Sequence, residues 1–212
     1  GSALDPELLR SAKEVGFGDA DIASLTGLPE SQVRVARQEA NVSRGYLAVG
    51  GEGSPTNTPY YYSSYGTTAD NAPTLTPTRA VVLGAGAIRI GQGIEFDYSG
   101  VKAAQALREE GYASIIINNN PETVSTDGDV SDRLYFEPLT AEDVENVLLK
   151  EQPAAVFTQF GGQAAIKLGA PLSEGGYPLA GSNQETIDLA EDRDRFRELL
   201  QQLNIPQPPG AT

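Results

Sequence analysis

A series of short apolar runs separated by helix-length segments limits what this chain can fold into. The runs AVVLG, ASIIINN, DRLYFEP, PAAVFTQF and YPLAG all lie within residues 79–181. Most are nearly continuous in apolar residues, which is typical of strands buried on both faces. Helical patterns lie between them, and strands that alternate with helices form a parallel sheet with right-handed crossovers. The pattern predicts an α/β fold with a Rossmann-like parallel sheet.

The helices between these strands have recognisable faces and ends. Val101, Ala104 and Leu107 are spaced to share one face of the helix that follows the first strand. Thr140 is suited to cap the helix in TAEDVENVLLKEQ, with Asp143 three residues later. Two further helices are predicted within residues 182–204, the first capped by Ser182.

Residues 1–41 predict a small all-α segment that precedes the sheet. In the first helix Asp5 is the expected N-cap and Pro6 the first helical residue. A second, short helix is expected to be capped by Asp19 and to end at Gly27. A third begins near Pro29.

Residues 42–79 change in composition, because Gly, Pro, Ser, Thr and Asn dominate them. We expect a linker or an irregular connector here. The cluster Tyr60–Tyr62 is unusual for a free linker, since tyrosine rings gain by burial. Part of the connector is therefore expected to dock on the following domain. At the other end, residues 205–212 (IPQPPGAT) stop helical structure and are expected to lead out of the domain.

Composition excludes several kinds of chemistry. The 212 residues contain no Cys, His, Met or Trp, so no thiol nucleophile, Ser-His-Asp triad or His/Cys metal site comes from this chain. The net charge of −14 disfavours binding to nucleic acids and to anionic membranes. The absence of an initiator Met and the leading Gly-Ser suggest a piece taken from a longer protein.

The helical segment has the spacing of a helix-turn-helix. Its third helix carries side chains that such motifs use on DNA, namely Gln32, Arg34, Arg37 and Gln38. No basic patch surrounds them, however, and the chain is strongly acidic. A small helical packing module is the favoured interpretation, and no nucleic-acid partner is expected.

A glycine-rich loop, GAGAIRIGQGIEFDYSG, follows the first predicted strand of the sheet. Gly84 and Gly86 fit the dinucleotide fingerprint, but Arg89 occupies the position of the third glycine. The next strand ends in three asparagines, 118–120, where that fingerprint needs an acid. A nucleotide site is thus disfavoured against simple tight turns. The polar residues Arg89, Gln92, Glu95 and Asp97 instead suggest a wall of a site at the carboxyl ends of the strands.

Two more loops leave carboxyl ends of the predicted strands. NNNPETVSTDGDVSD contains Glu122 and three aspartates, but its spacing does not match a calcium loop, and we expect no metal site. Gly161 and Gly162 stand where a helix begins, which suits either an anion or close packing.

Taken together, these strings resemble one family. RIGQGIEFDYSGVKAAQALREEGY, the segment from INNNPETV to LTAEDV, QFGGQAAIKL and the stretch from GSNQETIDLAEDRDRF to PPGAT closely resemble the large chain of carbamoyl phosphate synthetase, at the start of its second synthetase half. The resemblance covers residues 80–212. Residues 1–41 are similar to the end of the family's oligomerisation domain, and TPYYYSSY is similar to its connector. The connector departs from the family pattern at AVGGEGSPTN, which puts the family's docking of the helical part in doubt.

The resemblance implies a fold and an activity. Residues 80–204 are implied to form a pre-ATP-grasp domain, and residues 205–212 to lead to an ATP-grasp domain after Thr212. The parent enzyme is implied to be an ATP-dependent ligase of pyrimidine and arginine biosynthesis, whose second half phosphorylates carbamate. The family's carbamate tunnel maps onto Gly93, Glu95 and Glu122. Beside these, the loop residues Arg89, Gln92, Gly161 and Gly162 are candidate anion or domain contacts, and no residue of this chain is expected to be catalytic.

The resemblance also implies partners and cofactors outside this chain. ATP, Mg²⁺ (or Mn²⁺) and K⁺ belong to the parent, whereas this chain alone is expected to bind ATP weakly or not at all and to be inactive. The implied partners are the remaining large chain and a glutaminase subunit or domain. A cytoplasmic location is expected, or an organellar one in a eukaryote. Two alternatives stay open: a non-catalytic oligomerisation module and a stand-alone Rossmann-like nucleotide binder.

Overall fold

The computed structural model describes residues 4–49 and 60–208. Three helices come first, followed by a sheet whose strands alternate with helices after β3. A 3-10 turn at Val124–Thr126 lies between β4 and β5. The elements are α1 (Pro6–Glu14), α2 (Asp19–Thr26), α3 (Glu30–Glu39), β1 (Gly45–Ala48), β2 (Tyr60–Ser64), β3 (Arg79–Leu83), α4 (Glu95–Glu109), β4 (Ala113–Asn118), β5 (Arg133–Phe136), α5 (Ala141–Glu151), β6 (Ala155–Phe157), α6 (Gly162–Ile166), α7 (Gly169–Glu174), α8 (Gln184–Glu191) and α9 (Arg193–Gln202).

The six strands form one sheet in the order β1-β2-β5-β4-β3-β6. The pairs β2–β5, β5–β4, β4–β3 and β3–β6 are parallel, and only β1 pairs antiparallel with its neighbour. The predicted α/β class with a Rossmann-like parallel sheet is confirmed. Because the central strands are parallel, all their carboxyl ends lie at one edge of the sheet.

Alternate residues of the central strands feed two separate layers of core. On one face Val81, Ile115 and Ile117 pack with Val144 and Leu148 of α5. On the other face Val82, Ile116 and Leu134 pack with Val101 and Ala104 of α4. The period of two along a strand explains this division, and the predicted face of α4 is confirmed.

The connector contains two strands that sequence analysis did not predict. The interpretation of residues 42–79 as a linker is corrected for its described part, since β1 and β2 lie inside it and β2 pairs with β5. The expected docking of Tyr60–Tyr62 takes this form, and Tyr61 is buried against Tyr135. Farther along, the buried Arg133 donates to the carbonyl of Pro73 and pairs with Glu151 of α5. The connector departure at AVGGEGSPTN lies largely outside the described residues.

Several predicted helix ends are confirmed, whereas two caps were wrong. Asp5 accepts hydrogen bonds from the N–H groups of Glu7 and Leu8 at 2.8 and 3.0 Å, and Thr140 caps α5. Gly18, not Asp19, is the N-cap of α2, because Asp19 is the first helical residue and is buried in ion pairs. Asn183, not Ser182, caps α8 by accepting from the N–H of Thr186.

The predicted strand YPLAG forms only a single bridge, between Leu179 and Val156 of β6. Pro178 has no N–H to donate to a ladder, and Gly181 leaves the extended region with a φ of +87°. Within residues 4–49 and 60–208, the structure shows no helix with the length and hydropathy to cross a membrane.

Candidate functional site

Three loops meet at the carboxyl edge of the sheet. They follow β3, β4 and β6, which are neighbours in the order β4-β3-β6. Gly93 lies on the first loop and Glu95 begins α4 just beyond it. Glu122 lies on the second loop, and Gly161 and Gly162 close the third. The structure therefore places all five of these predicted site residues at one edge, where open α/β sheets bind ligands.

A buried network joins the first two loops. Asn118, at the end of β4, accepts a hydrogen bond from the N–H of Gly86 at 3.1 Å and donates to the hydroxyl of Ser125 at 3.0 Å. Ser125 in turn donates through both its N–H and its hydroxyl to Asp97 of α4. Asn118 and Asp97 are fully or almost fully buried. Together they fix the distance between the loops of the site.

The role of Asn118 and Asp97 in joining the two loops was not predicted from the sequence. The sequence predicts Asp97 only as part of a site wall, and it presents Asn118 only as the place where the dinucleotide fingerprint lacks its acid. The available signal was a polar residue at the end of a very apolar strand, because such a side chain is buried and must find partners.

Close packing accounts for glycine at two of the predicted positions. A Cβ placed on Gly84 would lie 2.5 Å from Cγ of Asn118. A Cβ on Gly161 would lie 2.6 Å from the carbonyl oxygen of Leu83 and would also strike that of Gly84. Gly162 has a φ of +59° and faces the ring of Phe96. Of the two interpretations of Gly161 and Gly162, these contacts support packing.

The predicted polar residues of the first loop form hydrogen bonds within that loop. The N–H of Arg89 donates to Oε1 of Gln92 at 3.2 Å, and the N–H of Gln92 donates to the carbonyl of Arg89 at 3.0 Å. The Glu95 carboxylate turns back to accept from the N–H of Gly93 at 3.2 Å. Arg89, Gly93 and Glu95 are exposed.

Glu122 is also exposed, and its N–H donates to the side chain of Asn120 at 3.1 Å. Both carboxylates predicted to line the tunnel are therefore open to the space outside this edge. They do not belong to the buried network that joins the loops.

Apolar side chains surround these polar groups on the surface. Ile90 is fully exposed, and Ile88, Ile94, Tyr98 and Val124 are each more than two-fifths exposed. So many exposed apolar side chains on neighbouring loops are typical of a surface that another domain or protein covers.

Carboxyl groups with shifted pKa values lie elsewhere, beside the helical segment and the connector. Burial raises the pKa of Glu137 and of Glu145. Burial acts in the same direction on Glu142, but hydrogen bonds from Tyr65, Lys13 and the N–H of Asp19 outweigh it and hold the pKa of Glu142 at about 2. Arg34 and Arg37, which the sequence offered as candidate DNA contacts, form ion pairs in this region. Arg34 pairs with Glu145, and Arg37 pairs with Asp19.

The resemblance assigns the nucleotide and metal sites to the rest of the parent enzyme. In residues 4–49 and 60–208, no group of three or more Asp, Glu, His or Cys side chains is arranged to hold a metal ion. At the glycine loop, Gly84 is packed against the side chain of Asn118.

The fold and the carboxyl-edge loops define a Rossmann-like α/β domain with three helices before it, and comparisons with known proteins give both parts a family. The model described as "Carbamoyl phosphate synthase preATP-grasp domain" matches residues 76–189. The model described as "Carbamoyl-phosphate synthetase large chain, oligomerisation domain" matches residues 1–41. The chain belongs to the carbamoyl phosphate synthase large-chain family.

Individual relatives agree with this assignment. The carbamoyl phosphate synthase large chain of Methanothermobacter thermautotrophicus is 50% identical over 210 residues, which cover 98% of this chain and 20% of the relative. That of Thermomicrobium roseum is 51% identical over 216 residues, with the same coverage. That of Xylella fastidiosa is 50% identical over 213 residues, 99% of this chain and 20% of the relative. The chain thus spans about a fifth of the length of these curated relatives.

Proposed function

We propose that this chain is a scaffold and part of the carbamate passage in the half of carbamoyl phosphate synthase that phosphorylates carbamate with ATP. The observation that carries the proposal is the convergence of Gly93, Glu95 and Glu122 at the carboxyl edge of a domain that belongs to this family. The remaining large chain and a glutaminase subunit or domain are the proposed partners.

The geometry of the first loop suits a passage wall. Gly93 has no side chain to obstruct the space beside it, and the atoms nearest to where its Cβ would stand belong to the Glu95 carboxyl group. The Glu95 carboxylate is exposed and is held by a single backbone N–H, so a small rotation moves its charge. A carboxylate that changes rotamer or protonation state changes the local potential felt by a passing anion. Glu122 on the next loop supplies a second such group.

The exposed apolar side chains around this loop support a contact with the rest of the large chain. Ile88, Ile90 and Ile94 lie on the same loop as Arg89 and Gln92. Covering these isoleucines would remove apolar area from water and exclude water from the passage at the same time. We therefore assign the loop both roles, passage wall and domain contact.

This assignment leaves nucleotide chemistry to the rest of the parent. Because Arg89 replaces the third glycine of the dinucleotide fingerprint and residues 118–120 lack its acid, the chain alone is expected to be inactive and to bind ATP no more tightly than the millimolar range, roughly −4 kcal/mol. Titration calorimetry with ATP and Mg²⁺ tests this. Micromolar binding would contradict the assignment and favour the stand-alone nucleotide binder.

A second candidate function, a self-association module, is favoured by one surface of the helical segment. Leu8 and Leu25 are 69% and 74% exposed and border a groove of about 210 Å³ that is lined mainly by apolar side chains of α1 and α2. Light scattering after size exclusion separates the candidates. A dimer that Leu25→Glu converts to a monomer would support association, whereas a monomer at every concentration would weaken it.

A further inference from the structure

A buried ionic cluster joins the helical segment to the sheet domain. Nζ of Lys13 lies 2.9 Å from both carboxylate oxygens of Glu142, 129 residues farther along the chain, and 2.5 Å from Asp19. Arg44 reaches the same carboxylate at 2.9 Å, and the hydroxyl of Tyr65 donates to it at 2.6 Å. The side chains of Lys13, Asp19 and Glu142 are 0%, 1% and 6% exposed. Glu142 is thus the common partner of three residues, one in α1 and two in the connector, that come before the sheet's central strands.

The aromatic ring of Tyr65 supports the same cluster. The guanidinium of Arg44 lies 4.6 Å from the centre of the ring, and Nζ of Lys13 lies 5.4 Å from it. Cations near an aromatic face are attracted to it, the more so when they are shielded from water. The connector therefore binds the cluster through both the ring and the hydroxyl of one residue.

This cluster holds both ends of a short turn. Glu137, directly after β5, is buried and accepts from the hydroxyl of Ser63 at 2.9 Å and from Arg44 at 3.2 Å. Three residues later Thr140 caps α5, which carries Glu142 in its first turn. The turn Glu137–Thr140 is consequently fixed on each side by groups that come from the helical segment and the connector.

The middle of this turn lies beside the glycine loop. Cδ1 of Leu139 lies 3.3 Å from where a Cβ of Gly86 would stand, with Oδ1 of Asn119 at 3.2 Å. Gly86 is buried, has a φ of +69° and donates its N–H to Asn118. Beyond Gly86 the loop becomes exposed as far as Glu95, apart from the half-buried Gln92. Leu139 and Asn118 therefore hold the last buried residue before the exposed part of the loop.

We propose that the ionic cluster centred on Glu142 positions the glycine loop of the sheet domain. By fixing the Glu137–Thr140 turn, the cluster holds Leu139 against Gly86, so that the conformation of residues 84–93 depends on the docked helical segment. Glu142 and Leu139 are positioning residues. The packing step stands on contacts within this chain alone, whereas its effect on a carbamate passage rests on the proposed function.

Amide hydrogen exchange in this chain, followed by NMR, tests the positioning step. Glu142→Gln and Leu139→Ala are each expected to speed exchange of the Gly86 N–H by about tenfold or more, because local opening no longer has to break the Leu139 contact. The N–H of Ile116 in β4 reports global unfolding and is expected to change much less. Glu198→Gln, an exposed helical glutamate in α9, is the matched control.

Two results would overturn the proposal: unchanged exchange at Gly86, or an increase at Gly86 that merely equals the increase at Ile116. If Glu142→Gln does not fold, Tyr65→Phe decides, because it removes one hydrogen bond to Glu142 and keeps the ring beside the cations. Tyr65→Phe must then speed exchange at Gly86 more than at Ile116.

The functional consequence is tested separately in the full-length large chain with its glutaminase partner. Leu139→Ala is expected to raise the ATP consumed per carbamoyl phosphate at least about twofold, and Leu149→Ala, an exposed leucine of α5, serves as control. Faster exchange at Gly86 with an unchanged ratio would keep the positioning step and reject the passage role. An unchanged ratio together with unchanged exchange would reject the positioning step itself.

Discussion

Asp97, in the first turn of α4, accepts hydrogen bonds from both the backbone N–H and the hydroxyl of Ser125, 28 residues farther along the chain. This pair ties the loop after β3 to the loop after β4. Both residues are nearly inaccessible to water. The Asp97 carboxylate, together with Asn118, therefore holds two of the three carboxyl-edge loops in their relative position.

Asp97→Ala tests the energetic weight of that tie. The substitution leaves two donors of Ser125 buried without an acceptor, which is expected to lower the free energy of unfolding by about 1–3 kcal/mol. Urea denaturation measures the change. Asp129→Ala is the control, because Asp129 is exposed and lies on the same loop as Ser125. It should change stability by less than about 0.5 kcal/mol. Equal effects of the two substitutions would show that the Asp97 tie contributes little.

The depressed pKa of Glu142 predicts an acid-sensitive contribution to stability. Its pKa is about 2 in the folded chain against an ordinary value of 4.5, so the unfolded chain takes up the proton first as the pH falls. The contribution of the carboxylate is therefore complete above about pH 4.5 and is lost as the pH falls to about 2. The stability deficit of Glu142→Gln should shrink over that range, by on the order of 3 kcal/mol at most.

Glu137 supplies a control of opposite sign within the same cluster. Burial raises its pKa, so the folded chain takes up this proton before the unfolded chain does. Relative to Glu137→Gln, the unsubstituted chain should gain stability as the pH falls from neutrality through the raised pKa. Urea denaturation at several pH values measures both variants. Parallel curves for the two would contradict the opposite shifts.

Two glycine-to-alanine changes distinguish close packing from conformational freedom. Gly161→Ala places a methyl group against the carbonyl oxygens of Leu83 and Gly84 and should cost about 1–3 kcal/mol. Gly100→Ala, inside α4, meets nothing within 4 Å and should instead gain about 0.5–1 kcal/mol. Chemical denaturation of both variants measures the difference. A stable Gly161→Ala chain would remove the packing explanation for that glycine.

The parts of the fold that were predictable from sequence are those that bury continuous apolar runs. The strands β3 and β4 contain little but Val, Leu and Ile between their ends. Their assignment as strands buried on both faces was therefore unambiguous. The strands β1 and β2 were missed because tyrosine and serine dominate β2 and because its partner β5 lies about seventy residues away. Pairing of that kind leaves no local pattern.

The ionic cluster was not predictable for a related reason. Glu142 and Glu145 have the spacing of a solvated helix face, and nothing near them in sequence signals that Lys13, Arg34 and Arg44 cover that face. At the carboxyl edge, by contrast, the topology of a parallel sheet was enough to bring Gly93 and Glu122 to the same side. Position could be predicted there, whereas side-chain contacts could not.

The central proposal is that the loop containing Gly93 forms part of a carbamate passage. Gly93→Ile in the full-length enzyme tests it most directly, because Gly93 is exposed, does not have a positive φ, and the atoms nearest to its new Cβ would be those of the Glu95 carboxyl group, the far end of a flexible side chain. The fold should therefore survive the change. Gly66→Ile, at an exposed connector glycine where an added Cβ would lie no closer than 3.5 Å to its nearest neighbour, Oγ of Ser64, is the matched control.

The decisive measurement is the ratio of ATP hydrolysed to carbamoyl phosphate formed. A side chain that obstructs the passage lets carbamate escape and decompose before it is phosphorylated, so Gly93→Ile should raise this ratio at least about twofold while Gly66→Ile leaves it unchanged. A ratio for Gly93→Ile equal to that of the unsubstituted enzyme, with the fold intact, would contradict the proposed function.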